Sequence, residues 1–196
     1  MISIPHTYQT LEFMEQGMIH VRYLLNKSTN ALSNSGILYA VIGGNAVAAW
    51  VETIDKKGAR NTNDVDLLIR REDFEAAKKT LLAEGFIYYD VPGVQVFMDD
   101  PDDLPSNGIH VLWANEKVQP NYPSANPDPA DSLVLGDRRI LSLESLVRMK
   151  LNSFRRKDQV HLQDLLRVGL LDSTWPAKFP PELATRLQEI LDDPEG

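Results

Sequence analysis

The chain has 196 residues, of which 43% are hydrophobic and 24% are charged, as is usual for a single globular domain. Its formal net charge of −8 excludes nonspecific binding of duplex DNA by the whole surface, and no sequence-specific DNA binding is expected. The lack of cysteine excludes disulfides, thiolate zinc sites and a cysteine nucleophile, and it agrees with a reducing compartment.

The first predicted element is a long amphipathic helix from about Thr10 to Leu32. Its apolar residues recur at helical spacing and are Leu11, Met14, Met18, Val21, Leu24 and Leu25. His20 on this helix is interpreted as a surface or rim residue. Residues 1–6 lack the features of a signal peptide, and no apolar run approaches the ~20 residues that cross a bilayer. We therefore expect a soluble, cytoplasmic protein without a membrane segment.

A short strand, a glycine pair and a second helix follow. Ile37 to Ile42 is a continuous apolar run, typical of a strand that is covered on both faces. Gly43 and Gly44 end this strand, and Ala46 to Val51 continues as a helix of mostly small residues. The free N–H groups at the start of such a helix can bind an anion. A tight turn without a ligand is the alternative interpretation.

The next strand, Asp64 to Ile69, carries the candidate metal ligands. Asp64 and Asp66 are two residues apart, so they share one face of the strand with Cβ atoms roughly 6.5 Å apart. Two like charges on one face repel each other unless a cation lies between them. Carboxylate oxygens select hard ions, and we predict Mg²⁺ or Mn²⁺ at this position. The alternative is an exposed strand face that carries two acids.

A helix and two strands are predicted between the two aspartates and the next candidate site residue, His110. Glu72 and Asp73 begin the helix, where their charges suit the helix dipole, and both are interpreted as structural. The residues expected to face inward are Phe74, Ala77, Leu81 and Leu82. Residues 86–89 and 94–98 are predicted strands, joined through Pro92 and Gly93.

The strand Ile109–Trp113 follows an acidic turn and contains the lone histidine of this region. His110 lies on the face opposite to Ile109, Val111 and Trp113, so it can reach the same site as the two aspartates. A hydrogen-bonded core histidine is the alternative interpretation.

The stretch from Asn115 to Ser132, called the strap below, is predicted to be irregular. It holds four of the twelve prolines and few core residues, and it is a candidate lid over a site. Leu133–Leu135 and Arg138–Leu141 then form a predicted hairpin.

The remaining residues are predicted to be helical. Ser142 is the expected N-cap of the first helix, residues 160–168 form a second helix with a structural His161, and residues 182–191 form the last. Seven basic and three acidic residues lie between Asp137 and Asp158, which makes this segment the positive pole of an acidic chain. A run of basic residues is usually a solvent-exposed face of the protein. Beside a carboxylate metal site, however, such residues can bind a polyphosphate.

Two motifs carry a resemblance to a known family. Gly43-Gly44-Asn45, followed by Asp64-x-Asp66 on the next strand, resembles the polymerase-beta type of nucleotidyltransferase fold. With Arg60 and Thr62 included, the pattern is similar to the AbiEii-type minimal nucleotidyltransferases, a group that includes toxins of toxin–antitoxin pairs. A set of later residues in this chain also resembles the helical part of those proteins: Leu143, Glu144, Leu146, Lys150, Arg156, Lys157, Asp158, Asp164 and Leu165.

The resemblance implies an α+β fold with a mixed β-sheet flanked by helices and a helical C-terminal extension. We predict a core of residues 1–141 and an extension of residues 142–196 that packs on it. The implied reaction transfers a nucleoside monophosphate from a nucleoside triphosphate to an acceptor hydroxyl. The predicted catalytic residues are Asp64, Asp66, His110 and Lys150, with the two aspartates as metal ligands. The residues assigned to the nucleotide are Gly43, Gly44, Asn45, Arg60, Thr62, Arg155 and Asp158.

The sequence departs from that family at two points. Many members have a third carboxylate on a later strand, where this chain has His110, and the spacing from Gly44 to Asp64 is longer than in compact members. A neutral imidazole can replace a carboxylate as a metal ligand or as a base. Because the third carboxylate is missing, a catalytically inactive module that binds a nucleotide or a partner is the alternative hypothesis. The acceptor is expected to be RNA, a protein or a small molecule, and an antitoxin is an expected partner.

Overall fold

The computed structural model describes residues 6–91 and 93–194, with side chains described from residue 15 onward. This part of the chain forms six α-helices and seven β-strands. The helices are α1 His6–Asn34, α2 Gly43–Glu52, α3 Phe74–Ala83, α4 Leu143–Ser153, α5 Arg156–Arg167 and α6 Pro181–Asp192. The strands are β1 Tyr39–Val41, β2 Val65–Ile69, β3 Ile87–Val91, β4 Val94–Met98, β5 Ile109–Trp113, β6 Ser132–Leu135 and β7 Arg138–Leu141.

The strands form one mixed sheet in the order β3-β4-β5-β2-β1-β7-β6. The middle strand, β2, is antiparallel to β1 and parallel to β5. The C-terminal end of β1 and the N-terminal ends of β2 and β5 therefore meet at the same edge of the sheet. This edge brings together the glycine pair after β1, the two aspartates at the start of β2 and the histidine of β5.

The two central strands are buried on both faces. All three residues of β1 are at most 1% exposed, and Val65, Leu67, Leu68 and Ile69 of β2 are fully buried. Helices α1 and α3 pack against each other beside the sheet, whereas α2 contacts α4 and α5 as well as β2. Burial of a large aliphatic side chain contributes roughly 1.5–3 kcal/mol, so this packing stabilises the strands that carry the glycines and the aspartates.

Most predicted elements are confirmed, including the α+β class, the terminal hairpin and the strand that carries His110. The N-cap at Ser142 is also confirmed, because its Oγ accepts a hydrogen bond from the Ser145 N–H. Helix α1 is longer than predicted, and the first strand is shorter. The division at residue 141 stays a prediction.

Three details of the prediction are wrong. Helix α2 begins at Gly43, so the glycines form its first turn and do not precede it. Helix α5 begins at Arg156, four residues before the predicted start, because Asp158 accepts a hydrogen bond from the Arg155 N–H and caps the helix. Leu82 is 44% exposed, since the buried face of α3 consists of Phe74, Ala77 and Leu81.

Some predictions fall on positions that the structure leaves undescribed. The side chains of Leu11 and Met14, residue Pro92 and residues 1–5 lie outside the described residues. Within residues 6–91 and 93–194, none of the helices has the length and apolar character that crossing a bilayer requires.

Candidate active site

Asp64, Asp66 and His110 come together at the edge of the sheet where β1 ends and β2 and β5 begin. Asp66 lies directly opposite His110 in the parallel pairing of β2 with β5. The His110 Nδ1 atom is 3.5 Å from Asp66 Oδ1 and 3.8 Å from Asp64 Oδ2. One ligand atom from each residue lies within 4.8 Å of the others, close enough to share one metal ion. The predicted convergence of the two acids and the histidine is therefore confirmed, while their roles stay predictions.

The tautomer of His110 is set by the backbone. Its Nε2–H donates a hydrogen bond of 2.8 Å to the carbonyl oxygen of Pro105. In the neutral ring, Nδ1 then carries a lone pair that faces the two carboxylates. In the protonated ring, Nδ1–H faces Asp66 and can donate a hydrogen bond to it, which raises the pKa of His110; the Asp64 charge acts in the same direction while burial opposes it. A proton and a metal ion therefore compete for the same nitrogen.

Asp66 is an acid whose charge is stabilised by its neighbours. Burial disfavours its ionised form, but the hydrogen bond and charge of His110 and the charge of Lys150 bring its pKa below the ordinary value. Its side chain is still 21% exposed, so the carboxylate remains accessible from the cavities beside it. It is therefore ionised at neutral pH and available as a ligand.

Asn45 and Thr62 hold Asp64 in place. The Asn45 side-chain amide donates a 2.7 Å hydrogen bond to the backbone oxygen of Asp64. The Thr62 hydroxyl donates a short hydrogen bond to the Asp64 carboxylate. Both side chains thus position a candidate metal ligand, in addition to the nucleotide role predicted for them.

Arg60 lies away from the carboxylates of Asp64 and Asp66, and it joins the segment before β2 to helix α5. Its Nε is 2.6 Å from the Asp164 carboxylate on α5, and Arg167 contacts the same carboxylate. Arg60 lines neither of the cavities beside Asp66 described below. Its geometry favours a role in joining the segment before β2 to α5 over the predicted contact with the nucleotide.

Lys150 is held by a buried carboxylate. Its Nζ is 3.2 Å from Asp158 Oδ1, and the two side chains are 7% and 0% exposed. Asp158 also accepts hydrogen bonds from the Ser153 hydroxyl at 2.8 Å and from Arg155 Nε at 2.8 Å. Burial opposes the ionisation of Asp158, but Arg155 and Lys150 lower its pKa to about 2. Burial lowers the pKa of Lys150, although Asp158 and Asp66 counteract this.

Two cavities meet at this cluster. The first, called the apolar lobe, has a volume of about 330 Å³, and its apolar walls are Val94, Leu112, Val118, Leu146 and Met149. The second, called the polar lobe, has a volume of about 340 Å³ and is lined by Gly44, Asn61, Thr62, Asn63, Ser106, Asn107 and His161. Both lobes share Asp64, Asp66, Lys150, Arg155 and Lys157. The acids and the cations therefore stand between the polar lobe and a second lobe that has an apolar wall.

The strap covers the apolar lobe. Val118, Tyr122 and Asn126 of the strap line it. Asn152 of α4 anchors the strap through two hydrogen bonds with the backbone of Ser124, at 3.0 and 2.8 Å. The strap thus has the position expected of a lid, but it is fixed at several points.

Among the lining residues that the sequence did not assign to the site are Tyr122, Asn126, Lys157 and His161. A correct start for α5 would have revealed the last two. With the helix beginning at Arg156, residues 157, 158 and 161 lie close together on its surface near the site. Tyr122 and Asn126 gave no local signal, because an irregular segment has no periodicity.

No protein-family model and no curated protein matches this chain. Among solved structures, an antigenic nucleotidyltransferase-like protein from Paracoccidioides brasiliensis is similar, with 19% identity and a TM-score of 0.53 over 86% of this chain and 87% of that chain. The antibiotic-resistance factor ANT(2'')-Ia is 14% identical with a TM-score of 0.47, over 85% and 80% of the two chains. JHP933 from Helicobacter pylori is 14% identical with a TM-score of 0.45, over 92% and 94%.

The similarity to the Paracoccidioides protein shows that this chain has a nucleotidyltransferase-like fold. The fold-level part of the resemblance seen in the sequence is therefore confirmed. The closer likeness to AbiEii-type proteins stays a prediction.

Proposed function

We propose that this protein transfers a nucleoside monophosphate from a nucleoside triphosphate to an acceptor hydroxyl. In this reaction the acceptor oxygen forms a bond to the α-phosphorus, the bond to the leaving pyrophosphate breaks, and the hydroxyl proton passes to a base or to water. The observation that carries the proposal is the convergence of Asp64, Asp66 and His110 Nδ1 beside a cavity lined by cations.

The three converging side chains fit a divalent metal ion. Two carboxylates and one imidazole lone pair offer three ligand atoms, and the Pro105 carbonyl holds that imidazole in the required tautomer. Carboxylates suit Mg²⁺ and Mn²⁺, whereas an imidazole ligand favours Mn²⁺ over Mg²⁺. When bound, such an ion stabilises the negative charge that develops on the attacking and leaving oxygens.

The polar lobe suits the triphosphate. Helix geometry leaves the N–H groups of Gly43 and Gly44 without partners inside α2, so they can bind phosphate oxygens. Lys150, Arg155 and Lys157 line the same lobe and supply positive charge. A cationic wall opposite a helix N-terminus is an arrangement that stabilises a polyphosphate.

The apolar lobe suits the acceptor. His110 and Leu112 of β5 both line it, so an acceptor hydroxyl in this lobe would lie next to the candidate metal ligands. The acceptor classes that we propose are an RNA end, a protein side chain and a small molecule. The likeness to AbiEii-type proteins extends the proposal to a cytoplasmic toxin with an antitoxin partner, which copurification with the product of a neighbouring gene would test.

A catalytically inactive module that binds a nucleotide or a partner is the second candidate. The observation in its favour is His110, which the sequence resemblance aligns with the third carboxylate of the family and whose raised pKa favours the protonated ring. A protonated imidazole neither ligates a metal nor accepts a proton.

Transfer of label from an α-³²P nucleoside triphosphate separates these candidates. The purified protein is incubated with each of the four triphosphates, Mg²⁺ or Mn²⁺, and either total RNA or cell extract as the acceptor. We expect labelled acceptor and released pyrophosphate with the wild type, and loss of both in Asp64→Asn and Asp66→Asn. Glu72→Gln, which removes an exposed acid outside the site, should keep full activity. Tight nucleotide binding without transfer under every condition would favour the inactive module.

A further inference from the structure

A third cavity lies next to the polar lobe, and the proposed reaction assigns it no role. It is called the cationic cavity below, because its lining includes Arg22, Lys56, Arg60 and Arg138. Its volume is about 480 Å³. Asn61 and Thr62 line both this cavity and the polar lobe, so the segment before β2 forms part of the wall of each.

The positive charge of the cationic cavity comes from three separate parts of the chain. Arg22 lies on α1, and Arg138 begins β7. Lys56 and Arg60 lie between α2 and β2. The whole chain has a net charge of −8, so this gathering of cations runs against its composition. A cleft lined mainly by one sign of charge focuses the electrostatic potential and attracts ions of the opposite sign.

Three of the four cations are accessible to a ligand. Arg60 contacts Asp164 through Nε at 2.6 Å, and its terminal nitrogens have no hydrogen-bond partner among the described residues. The Arg60 side chain is 61% exposed. Arg22 and Lys56 are exposed as well, and neither forms an ion pair within the described part of the chain. These side chains can therefore turn toward an anion in the cavity.

Acidic residues reduce the positive charge without cancelling it. Glu52 lines the cavity, Asp137 lies 3.4 Å from Arg138, and Asp164 contacts Arg60. Asp164 is shared with Arg167, whose Nη2 is 3.3 Å from its carboxylate. The cavity thus keeps an excess of positive charge after its acidic neighbours are included.

The occupant of this cavity differs from the two substrates of the proposed reaction. Asp64, Asp66 and His110 are not part of its lining, whereas the α-phosphorus has to lie at these candidate metal ligands during transfer. Among the described residues, none lines both the cationic cavity and the apolar lobe. A polynucleotide acceptor would have to cross the polar lobe to occupy both. The position therefore favours a separate, small ligand.

We propose that the cationic cavity is a second anion site, which binds a small ligand with two or more linked phosphate groups. Linked phosphates carry several charges at fixed separations, which suits cations that come from different segments. Arg60 would bind with its terminal guanidinium nitrogens, whose planar geometry matches phosphate oxygens. The site goes beyond the proposed reaction, since it requires neither the candidate metal ligands nor transfer.

The test measures binding of inorganic pyrophosphate to the full chain by ¹⁵N NMR, at low ionic strength and without a divalent ion. The side-chain amide of Asn45 reports on the cationic cavity, because Asn45 lines it and neither lobe. The side-chain amide of Asn107 reports on the polar lobe in the same way. Each signal gives a dissociation constant for its own site.

The variants are Arg22→Gln, Lys56→Gln and their combination, which change exposed side chains and should keep the fold. Lys57→Gln is the matched control for a single change, because Lys57 is exposed, adjacent to Lys56 and outside the lining. Lys57→Gln combined with Lys117→Gln matches the double variant in charge. A loss caused by net charge alone would appear equally in the controls.

We expect the dissociation constant from the Asn45 signal to rise about two- to fivefold in each single variant and about tenfold in the double variant. It should stay at the wild-type value in both controls, and the Asn107 value should change little in any variant. An Asn45 value that is the same in the wild type and the double variant would overturn the inference. Equal losses in the double variant and its control would do so as well.

A short single-stranded RNA oligomer is titrated in the same way to separate the two sources of phosphate. If the oligomer binds at the Asn45 reporter more tightly than pyrophosphate and loses affinity in the double variant, the ligand is a polynucleotide and the small-ligand assignment is wrong. An Asn45 signal that does not move with pyrophosphate would mean that the second site is absent. Neither result affects the label-transfer assay, which tests the proposed function separately.

Discussion

Gly43 lies so close to Asp66 that a Cβ atom on Gly43 would stand 1.9 Å from the Asp66 Oδ2 atom. Gly43 also has a φ of +66°, a conformation that residues with a side chain rarely adopt. The start of helix α2 therefore contacts a candidate metal ligand directly, and glycine is the residue that permits this contact.

Gly43→Ala should impair metal binding more than its effect on the backbone alone explains. Gly36→Ala is the matched control, because Gly36 has a φ of +69° and an added Cβ would meet nothing within 4 Å. Placing an alanine at a positive φ should lower the free energy of unfolding by about 1–2 kcal/mol in each variant. Denaturant unfolding and Mn²⁺ titration measure the two effects, and we expect a larger loss of both stability and Mn²⁺ affinity in Gly43→Ala. Equal losses in the two variants would contradict the close contact.

The wild type should be more active with Mn²⁺ than with Mg²⁺, because one of its three predicted ligands is an imidazole. His110→Asp restores a third carboxylate and should shift the preference toward Mg²⁺. His110→Ala should reduce activity with both ions. Initial rates over a range of each metal concentration check this, and an unchanged Mg²⁺-to-Mn²⁺ ratio in His110→Asp would show that His110 is not a ligand.

The buried pair of Lys150 and Asp158 should show strong coupling in a double-mutant cycle. Asp158→Leu leaves the buried ammonium of Lys150 without its partner, so it should cost roughly 3–5 kcal/mol. Lys150→Met should cost less, because Asp158 keeps its hydrogen bonds from Arg155 and Ser153. The double variant should cost clearly less than the sum of the two single variants. Urea unfolding gives the free energies, and additive losses would indicate that the two charges are stabilised independently.

The free energy of unfolding should fall between pH 7 and pH 5 because of His161. Its pKa is about 4 in the folded protein and has an ordinary value of 6.5, so in this window the unfolded chain binds a proton that the folded chain does not. The linkage relation gives a loss of about 2 kcal/mol from pH 7 to pH 5. His161→Asn removes this contribution while the raised pKa of His110 acts equally in both proteins. Urea unfolding at the two pH values would contradict the assignment if both proteins changed alike.

Asn152→Ala should loosen the strap without unfolding the protein. The variant loses both hydrogen bonds to the Ser124 backbone, which join α4 to the strap. We expect faster tryptic cleavage after Lys117, which lies in the strap, and a decrease in stability of about 1–3 kcal/mol. Thr185→Ala, on an exposed position of α6, is the control. Unchanged cleavage at Lys117 would mean that other contacts are sufficient to hold the strap.

Several parts of the site were predictable from short stretches of sequence. Alternation along β2 placed Asp64 and Asp66 on one face, and alternation along β5 placed His110 on the face away from its apolar neighbours. These predictions succeed because the side-chain period of a strand is a local property of the backbone. The glycine pair was equally visible, although its contact with Asp66 was not.

Other parts depend on contacts between residues far apart in the chain. Arg60 and Asp164 are separated by 104 positions, and their ion pair holds Arg60 away from the carboxylates of Asp64 and Asp66. The burial of Lys150 on Asp158 results from the packing of α4 against α5, which periodicity does not specify. The lining of the apolar lobe by Tyr122 and Asn126 depends on where an irregular segment is anchored.

The sequence by itself therefore indicated the carboxylate pair and the candidate third ligand through local periodicity and residue chemistry, and the α+β class through the family resemblance that its motifs carry. Tertiary structure alone decided that Lys150 is paired in the interior, that His161 has a buried nitrogen without a hydrogen bond among the described residues, and that two cavities meet at Asp66. The physical reason is that burial and electrostatic environment arise from surfaces that come together only when distant segments pack.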